Sequence, residues 1–216
     1  MVSDKSELSN IFEDIVSTTR SVRKRIDFER PIDPEAIYHC VDLAAQAPTS
    51  VGNETWRFLV VDERSKKKQL GDIYRRSFDE YLEIRKQERE ETGEEETELS
   101  PNYRFLADNI HRFPALLLVC REGRPPDELA GQIAFFGSVI PAAWSLMMAL
   151  RSLRIGSTWT TLHARYEEQV REVLGIPANV TVCILLPIGY MLGANLRRAD
   201  RASAKVITSW NAWGSN

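Results

Sequence analysis

The stretch Ile133–Leu150, IAFFGSVIPAAWSLMMAL, is apolar almost all the way round. A helix without a polar face has to be surrounded, so these residues predict a central helix buried on most sides. Pro141 inside it predicts a kink or a break. Short apolar runs elsewhere supply the surroundings. Phe58–Val61, bounded by charge, predicts a strand covered on both faces, and ALLLVC after Pro114, Ile155–Thr160 and Val180–Ile188 predict three more.

Helices fill the intervals. Leu8, Ile11, Phe12, Ile15 and Val16 repeat with helical period. Asp33 is an N-cap and Pro34 suits the first helical position, where its missing N–H costs nothing; Pro48 ends that helix. Ser65–Arg89 is highly charged, with Leu70, Ile73, Tyr74, Phe78, Tyr81 and Leu82 on one face. Glu88–Glu98 is all Glu apart from Arg89, Thr92, Gly93 and Thr97, and like charges this dense repel, which predicts a mobile surface loop or acidic insertion around residues 86–100. A short helix ends at Gly175 and Pro177. Residues 202–216 predict an extended tail whose Trp210 and Trp213 need burial, as against a second subunit. Two helices before any strand, then strands alternating with helices, predict a helix-layered sheet of α/β or α+β class.

At 216 residues the chain is long enough for a single domain, residues 1–216, with a sizeable core and no disulfides. A net charge of −3 argues against a general nucleic-acid binder. The apolar windows Ala142–Leu150 and Val180–Ile188 fall short of the ~18 residues of a membrane span, and the N-terminus lacks the apolar run of a signal peptide. A cytoplasmic protein follows as the expectation, with Cys40, Cys120 and Cys183 as reduced, buried thiols.

The common catalytic signatures are missing: no GxGxxG after a strand, no GxxxxGK[ST], no HExxH and no GxSxG. His39, His111 and His163 have no metal-ligand spacing, and no side chain is assigned as a catalytic nucleophile or base. An enzyme built this way leaves the hard step to a cofactor. Four clusters remain. In TTRSVRKR, Arg20 and Arg23 flank Ser21 and suit a phosphate, or else complement a helix C-terminus. APTSVGNETW offers Thr49, Ser50 and Asn53, or is simply a polar turn. GSTWTTLH offers the backbone N–H groups of Thr160 and Thr161. NLRRADR carries Arg197, Arg198 and Arg201, a phosphate site or a basic surface patch.

Taken together and in this order, these clusters resemble the nitroreductase family of FMN-dependent oxidoreductases. The family pattern has an Arg-x-Ser-x-Arg-like segment, a helix ending Ala-Pro-Ser/Thr, and Asn-x-Gln-Pro-Trp leading into a strand. TTRSVRKR, LAAQAPTSVGNETW, RFLVVD, LRIGSTW, LGIP and PIGY follow it over nearly the whole chain. The tail WNAWG is similar to that of a branch familiar from actinobacterial sequences. The resemblance implies an α+β nitroreductase-like fold with a central mixed sheet flanked by helices, an intertwined homodimer, and FMN at the subunit interface. It further implies that Arg20, Ser21 and Arg23 meet the FMN phosphate and ribityl chain. Pro48, Thr49, Ser50 and Asn53 meet the flavin across the interface, Thr160, Thr161 and Leu162 run along its ring, and Arg198 and Arg201 reach the phosphate. NADH or NADPH would then reduce the flavin at N5 in a ping-pong scheme, with a nitroaromatic or quinone-like small molecule as acceptor. A flavin-binding regulatory or storage protein, a dehalogenase and a flavin-degrading enzyme are the alternatives on this fold. Thr19 stands where many members have an Arg, and Glu54-Thr55 replaces Gln-Pro before Trp56.

Overall fold

A computed structural model describes residues 5–49, 55–93, 99–193 and 196–214. The chain divides into two units, Arg20–Ala194 and a smaller one made of Met1–Thr19 with Asn195–Asn216.

The larger unit is built on a four-stranded sheet in the order β1-β2-β4-β3, with β1 Trp56–Val61, β2 Ala115–Glu122, β3 Ile155–Ser157 and β4 Val180–Tyr190. All three pairings are antiparallel, and parallel pairing is confined to isolated bridges such as Ser21↔Ser157. The sheet itself is antiparallel, where a mixed one was expected. β2 and β4 are its buried centre, which is why they read as unbroken apolar runs. β1 differs from its expectation. It is an edge strand, with Arg57 exposed and Val60 39% exposed, because only β2 pairs with it.

Strand alternation divides the packing into two layers. Ala115, Leu117 and Val119 of β2 pack with α2 (Pro34–Ala44) and α5 (Leu129–Ser152), whose Val139, Ala142, Ala143 and Leu146 are fully buried. Leu116 and Leu118 point the other way and are just as buried, so a second layer covers them. The elements with buried faces left to do so are α3 (Arg64–Thr92), α4 (Pro101–Asn109) and α6 (Glu167–Leu174). Asp33 caps α2, its carboxylate accepting from the Glu35 N–H at 3.0 Å, with Pro34 just inside. α5 runs through Pro141 without a break. Its length and composition alone would let it cross a membrane, beyond what its nine most apolar residues suggested, but half of its apolar window is buried in the core.

Residues 88–92 are the last helical residues of α3, which ends at Gly93 in the left-handed region (φ 69°); a loop there was the wrong expectation. The rest of the acidic segment, 94–98, lies outside the described residues. In the smaller unit, α1 (Lys5–Thr18) ends with the hydroxyls of Thr18 and Thr19 donating back to the carbonyls of Asp14 and Ile15, each at 2.6 Å. The tail is not uniformly extended: Ala204–Ile207 is a helical turn, α7, and Trp210 and Trp213 are exposed. Leu8, Ile11, Phe12 and Val16 leave α1 an exposed apolar face as well.

Candidate flavin site

The segment after α1 lies along β3. The Val22 N–H donates to the Ser157 carbonyl at 2.9 Å, and the Thr158 hydroxyl donates to the Val22 carbonyl at 3.0 Å. α1 ends at Thr18, so neither Arg20 nor Arg23 lies in its last turn. They belong to a strand-like edge that delivers Ser21 and Arg23 to the stretch Ser157–Leu162.

α3 forms the next wall. Tyr74 Oη and Thr160 Oγ1 are hydrogen-bonded at 2.8 Å, both groups buried. One turn on, the Ser77 hydroxyl donates to the Leu162 carbonyl at 2.6 Å. Fully buried His163 is held to the Val182 carbonyl through Nε2 at 3.1 Å. Burial pushes its pKa down to about 4, so the ring is neutral. Burial also raises the Tyr74 phenol, keeping it protonated. Sequence reasoning took Tyr74 for one more member of an apolar stripe and missed Ser77 and Tyr103. The signal available was a pair of hydroxyls spaced to share one helix face.

Arg23 closes the group. Its guanidinium lies 4.9 Å from the ring centroid of Tyr103 on α4, and its Nε is buried with no hydrogen-bond partner among the described residues. A buried guanidinium N–H left unpaired is costly, and an acceptor on a ligand removes that cost. Arg171 on α6 also carries such an atom, so the atom alone marks nothing. In Arg23 it coincides with hydroxyls, a cation–π partner and a loop edge.

Thr160 corrects one expectation. Its N–H donates to the Leu185 carbonyl at 3.1 Å and is not available to a ligand; an antiparallel bridge to β4 has claimed it. Thr161 is exposed, and no acceptor for its N–H is found among the described residues. Of the second cluster, Pro48 is exposed and Thr49 half-buried; Ser50 and Asn53 lie outside the described residues. Ala47, just before them, packs into the α2–α5 layer, whereas Tyr74 and Ser77 belong to the α3 layer. Trp56 anchors the start of β1 through its indole N–H, which donates to Ser138 Oγ on α5 at 3.1 Å, and Thr55 is held by Arg121 Nε at 3.2 Å. Arg198 and Arg201 are in the smaller unit. Arg198 Nε donates to Ser17 Oγ at 3.0 Å and its guanidinium lies 3.8 Å from Glu13, whereas Arg201 is exposed. Among the described residues, no group of His, Cys, Asp and Glu is placed to hold a metal.

An antiparallel sheet layered by helices, with an arginine-and-hydroxyl edge beside β3, defines an α+β fold of the nitroreductase type. The sequence profile of the Nitroreductase family matches residues 16–190, and the chain belongs to that family. It is 26% identical over 181 residues to an Archaeoglobus fulgidus protein carrying the provisional name NADH dehydrogenase/NAD(P)H nitroreductase, covering 82% of this chain and 83% of that one. It is also 26% identical over 178 residues to an iodotyrosine deiodinase of Thermotoga neapolitana, covering 82% and 87%. The fold matches a crystal structure of oxidized iodotyrosine deiodinase bound to FMN and 3-iodo-L-tyrosine with a TM-score of 0.70 and 21% identity, over 94% of this chain and all of that one.

Proposed function

We propose that the protein is an FMN-dependent oxidoreductase, using NADH or NADPH to reduce a nitroaromatic or quinone-like acceptor. The observation that carries the reading is the buried Nε of Arg23, unpartnered among the described residues, beside the Thr160–Leu162 edge in a chain of this family. Bound FMN would supply the redox chemistry, accepting hydride from the nicotinamide and passing electrons to the acceptor. The protein's part is to bind and orient. Arg20, Ser21 and Arg23 take the anionic and polar edges of the cofactor. The Thr161 N–H and the Leu162 backbone line its ring, and Thr160 serves through its hydroxyl and its fixed backbone rather than its N–H. Tyr74 and Ser77 lock that edge against α3.

The reading includes a homodimer, one flavin-binding domain per chain. Pro48 and Thr49 follow the α2–α5 layer while Tyr74 and Thr160 sit with the α3 layer, so a flavin touching both groups calls for two chains. The exposed apolar residues Leu129, Ile133, Ile140 and Trp144 on α5, and Trp210 and Trp213 of the tail, are the surface such a dimer would cover. Arg198 and Arg201 are proposed as further phosphate contacts.

A second reading, reductive dehalogenation at the same site, is favoured by the deiodinase names of two relatives. The experiment for both is an anaerobic spectrum of the purified protein. The flavin bands should bleach on adding NADH or NADPH and return with a nitroaromatic or a quinone; return with a halophenol instead selects the second reading. A protein that takes up no FMN, or whose flavin neither nicotinamide reduces, rules out the oxidoreductase.

A further inference from the structure

β1 is tied down more firmly at its start than an edge strand requires. Six residue pairs with β2, from Trp56↔Arg121 to Val61↔Leu116, already fix its register. Yet three consecutive residues at its entry each have the side chain held as well. The Trp56 indole donates to Ser138 on α5, Arg57 pairs with Glu122, and the Thr55 hydroxyl accepts from Arg121 Nε at 3.2 Å. The Thr55 carbonyl in addition accepts from the Glu122 N–H at 2.8 Å.

Arg121 is what joins Thr55 to the helix. While Nε holds the hydroxyl, one terminal nitrogen donates to the carbonyls of Ala134, at 3.3 Å, and Phe135. The guanidinium also covers the Phe135 ring, 4.2 Å from its centroid. A carbonyl oxygen has two lone pairs, so Ala134 and Phe135 take this donor without giving up their helical bonds. A planar fork can serve a hydroxyl, a helix carbonyl and an aromatic face at once, which the single ammonium of a lysine cannot. The family pattern has Pro before the Trp, and its ring stiffens the backbone. This chain has Thr55 there, which has to be held by its side chain.

The place of this clamp gives it a role. Ala47 packs into the α2–α5 layer and Thr55 is clamped to α5, so the segment between them is anchored to one layer at both ends. Residues 50–54, with Ser50 and Asn53, lie outside the described residues, and the two ends are what the structure fixes. We propose that Arg121, acting through Thr55, is a positioning residue for the cofactor: it fixes where the loop that follows Pro48 and Thr49 joins the sheet, so that less of the loop remains to be ordered when FMN binds. This rests on the flavin reading given above. Leu146 is about 16 Å further along α5 than Phe135, so the clamp is distinct from the core of that layer.

Fluorescence titration with FMN, at a temperature where every variant is folded, tests this. Thr55→Val removes the acceptor at nearly constant volume, and Arg121→Met removes the donors. Each should weaken FMN binding about fivefold, the scale of one hydrogen bond. The double variant should be no weaker than the singles, because all three break one link, and Thr55→Ser should bind as the parent does. Arg57→Gln, which breaks the neighbouring exposed ion pair, should leave FMN binding unchanged. If Arg121→Met does not fold, Thr55→Val against Thr55→Ser gives the same answer. A lower melting temperature with unchanged FMN affinity would make the clamp structural only and overturn the proposal, as would additive losses in the double variant. A parent protein that takes up no FMN would instead overturn the oxidoreductase reading, and hydrogen exchange then decides the clamp. Residues 47–56 should exchange faster in Thr55→Val and Arg121→Met than in the parent; equal exchange overturns it.

Discussion

On one side of the sheet, α5 packs Val139, Ala142, Ala143 and Leu146 against Ala115, Leu117 and Val119, an almost wholly apolar layer. On the other, α3 and its neighbours bury Ser77, Thr160 and His163, each tied to a named partner. The two layers share the same strands, so the sheet does not cause the difference. Burying a hydroxyl or an imidazole costs free energy unless it is hydrogen-bonded, and even then the net gain is about 1 kcal/mol per bond. A fold needing only a core has no reason to assemble such groups. The α5 layer is therefore where stability is concentrated, and the α3 layer is where the protein has exchanged easy packing for a shaped polar edge.

The sharpest way to break that comparison is Leu146→Ala. Leu146 is fully buried, and its loss should lower stability by about 2–5 kcal/mol through transfer and cavity terms. Urea unfolding reads this. Under conditions where the variant is folded, its FMN affinity should equal that of the parent. A flavin affinity falling along with stability would show that the layers are not separable.

His163 should make the α3 layer acid-sensitive. Its folded pKa of about 4 lies below the ordinary 6.5, so the unfolded chain binds the proton first. The stability this gives is fully present above pH 6.5 and is lost as pH falls towards 4, with an upper bound of about 3 kcal/mol. Urea midpoints measured across that window should fall more steeply for the parent than for His163→Gln. Parallel curves would remove His163 from the account.

How much of this was legible in the residues follows the same divide. Apolar runs and local caps are self-contained signals, so β2, β4 and the Asp33–Pro34 start of α2 could be read directly. α4 was not seen, although Ser100 and Pro101 announce it; its short, mixed stretch shows little periodicity, and the acidic run before it drew the reading towards a loop. The edge position of β1 depends on which strands pair, which no local pattern encodes. Of the candidate site, Arg20–Arg23 drew the reading because arginines beside a hydroxyl suit an anion, Thr160 and Thr161 because of their backbone N–H groups, and Leu162 through the family resemblance alone. The bridge that takes up the Thr160 N–H and the tyrosines facing Arg23 come from distant segments, so only folding reveals them.

Arg23 sharpens the comparison from the ligand side. If the α3 layer exists to present it, Arg23→Ala should weaken FMN binding by about 1.5–3 kcal/mol, the range for hydrogen bonds to charged groups, with little loss of stability. Tyr103 offers a smaller and more discriminating step. Its ring is 44% exposed and adds little to the core, so its effect on flavin should run through the guidinium it faces. Tyr103→Phe keeps a π-face under Arg23 and should bind FMN as the parent does, whereas Tyr103→Leu should lose about 0.5–1 kcal/mol. Fluorescence titration of FMN resolves that difference. Equal losses in both variants would mean that the hydroxyl matters and the ring does not; no loss in either would leave Arg23 positioned by β3 alone, and the polar layer would end at α3 rather than extend to α4.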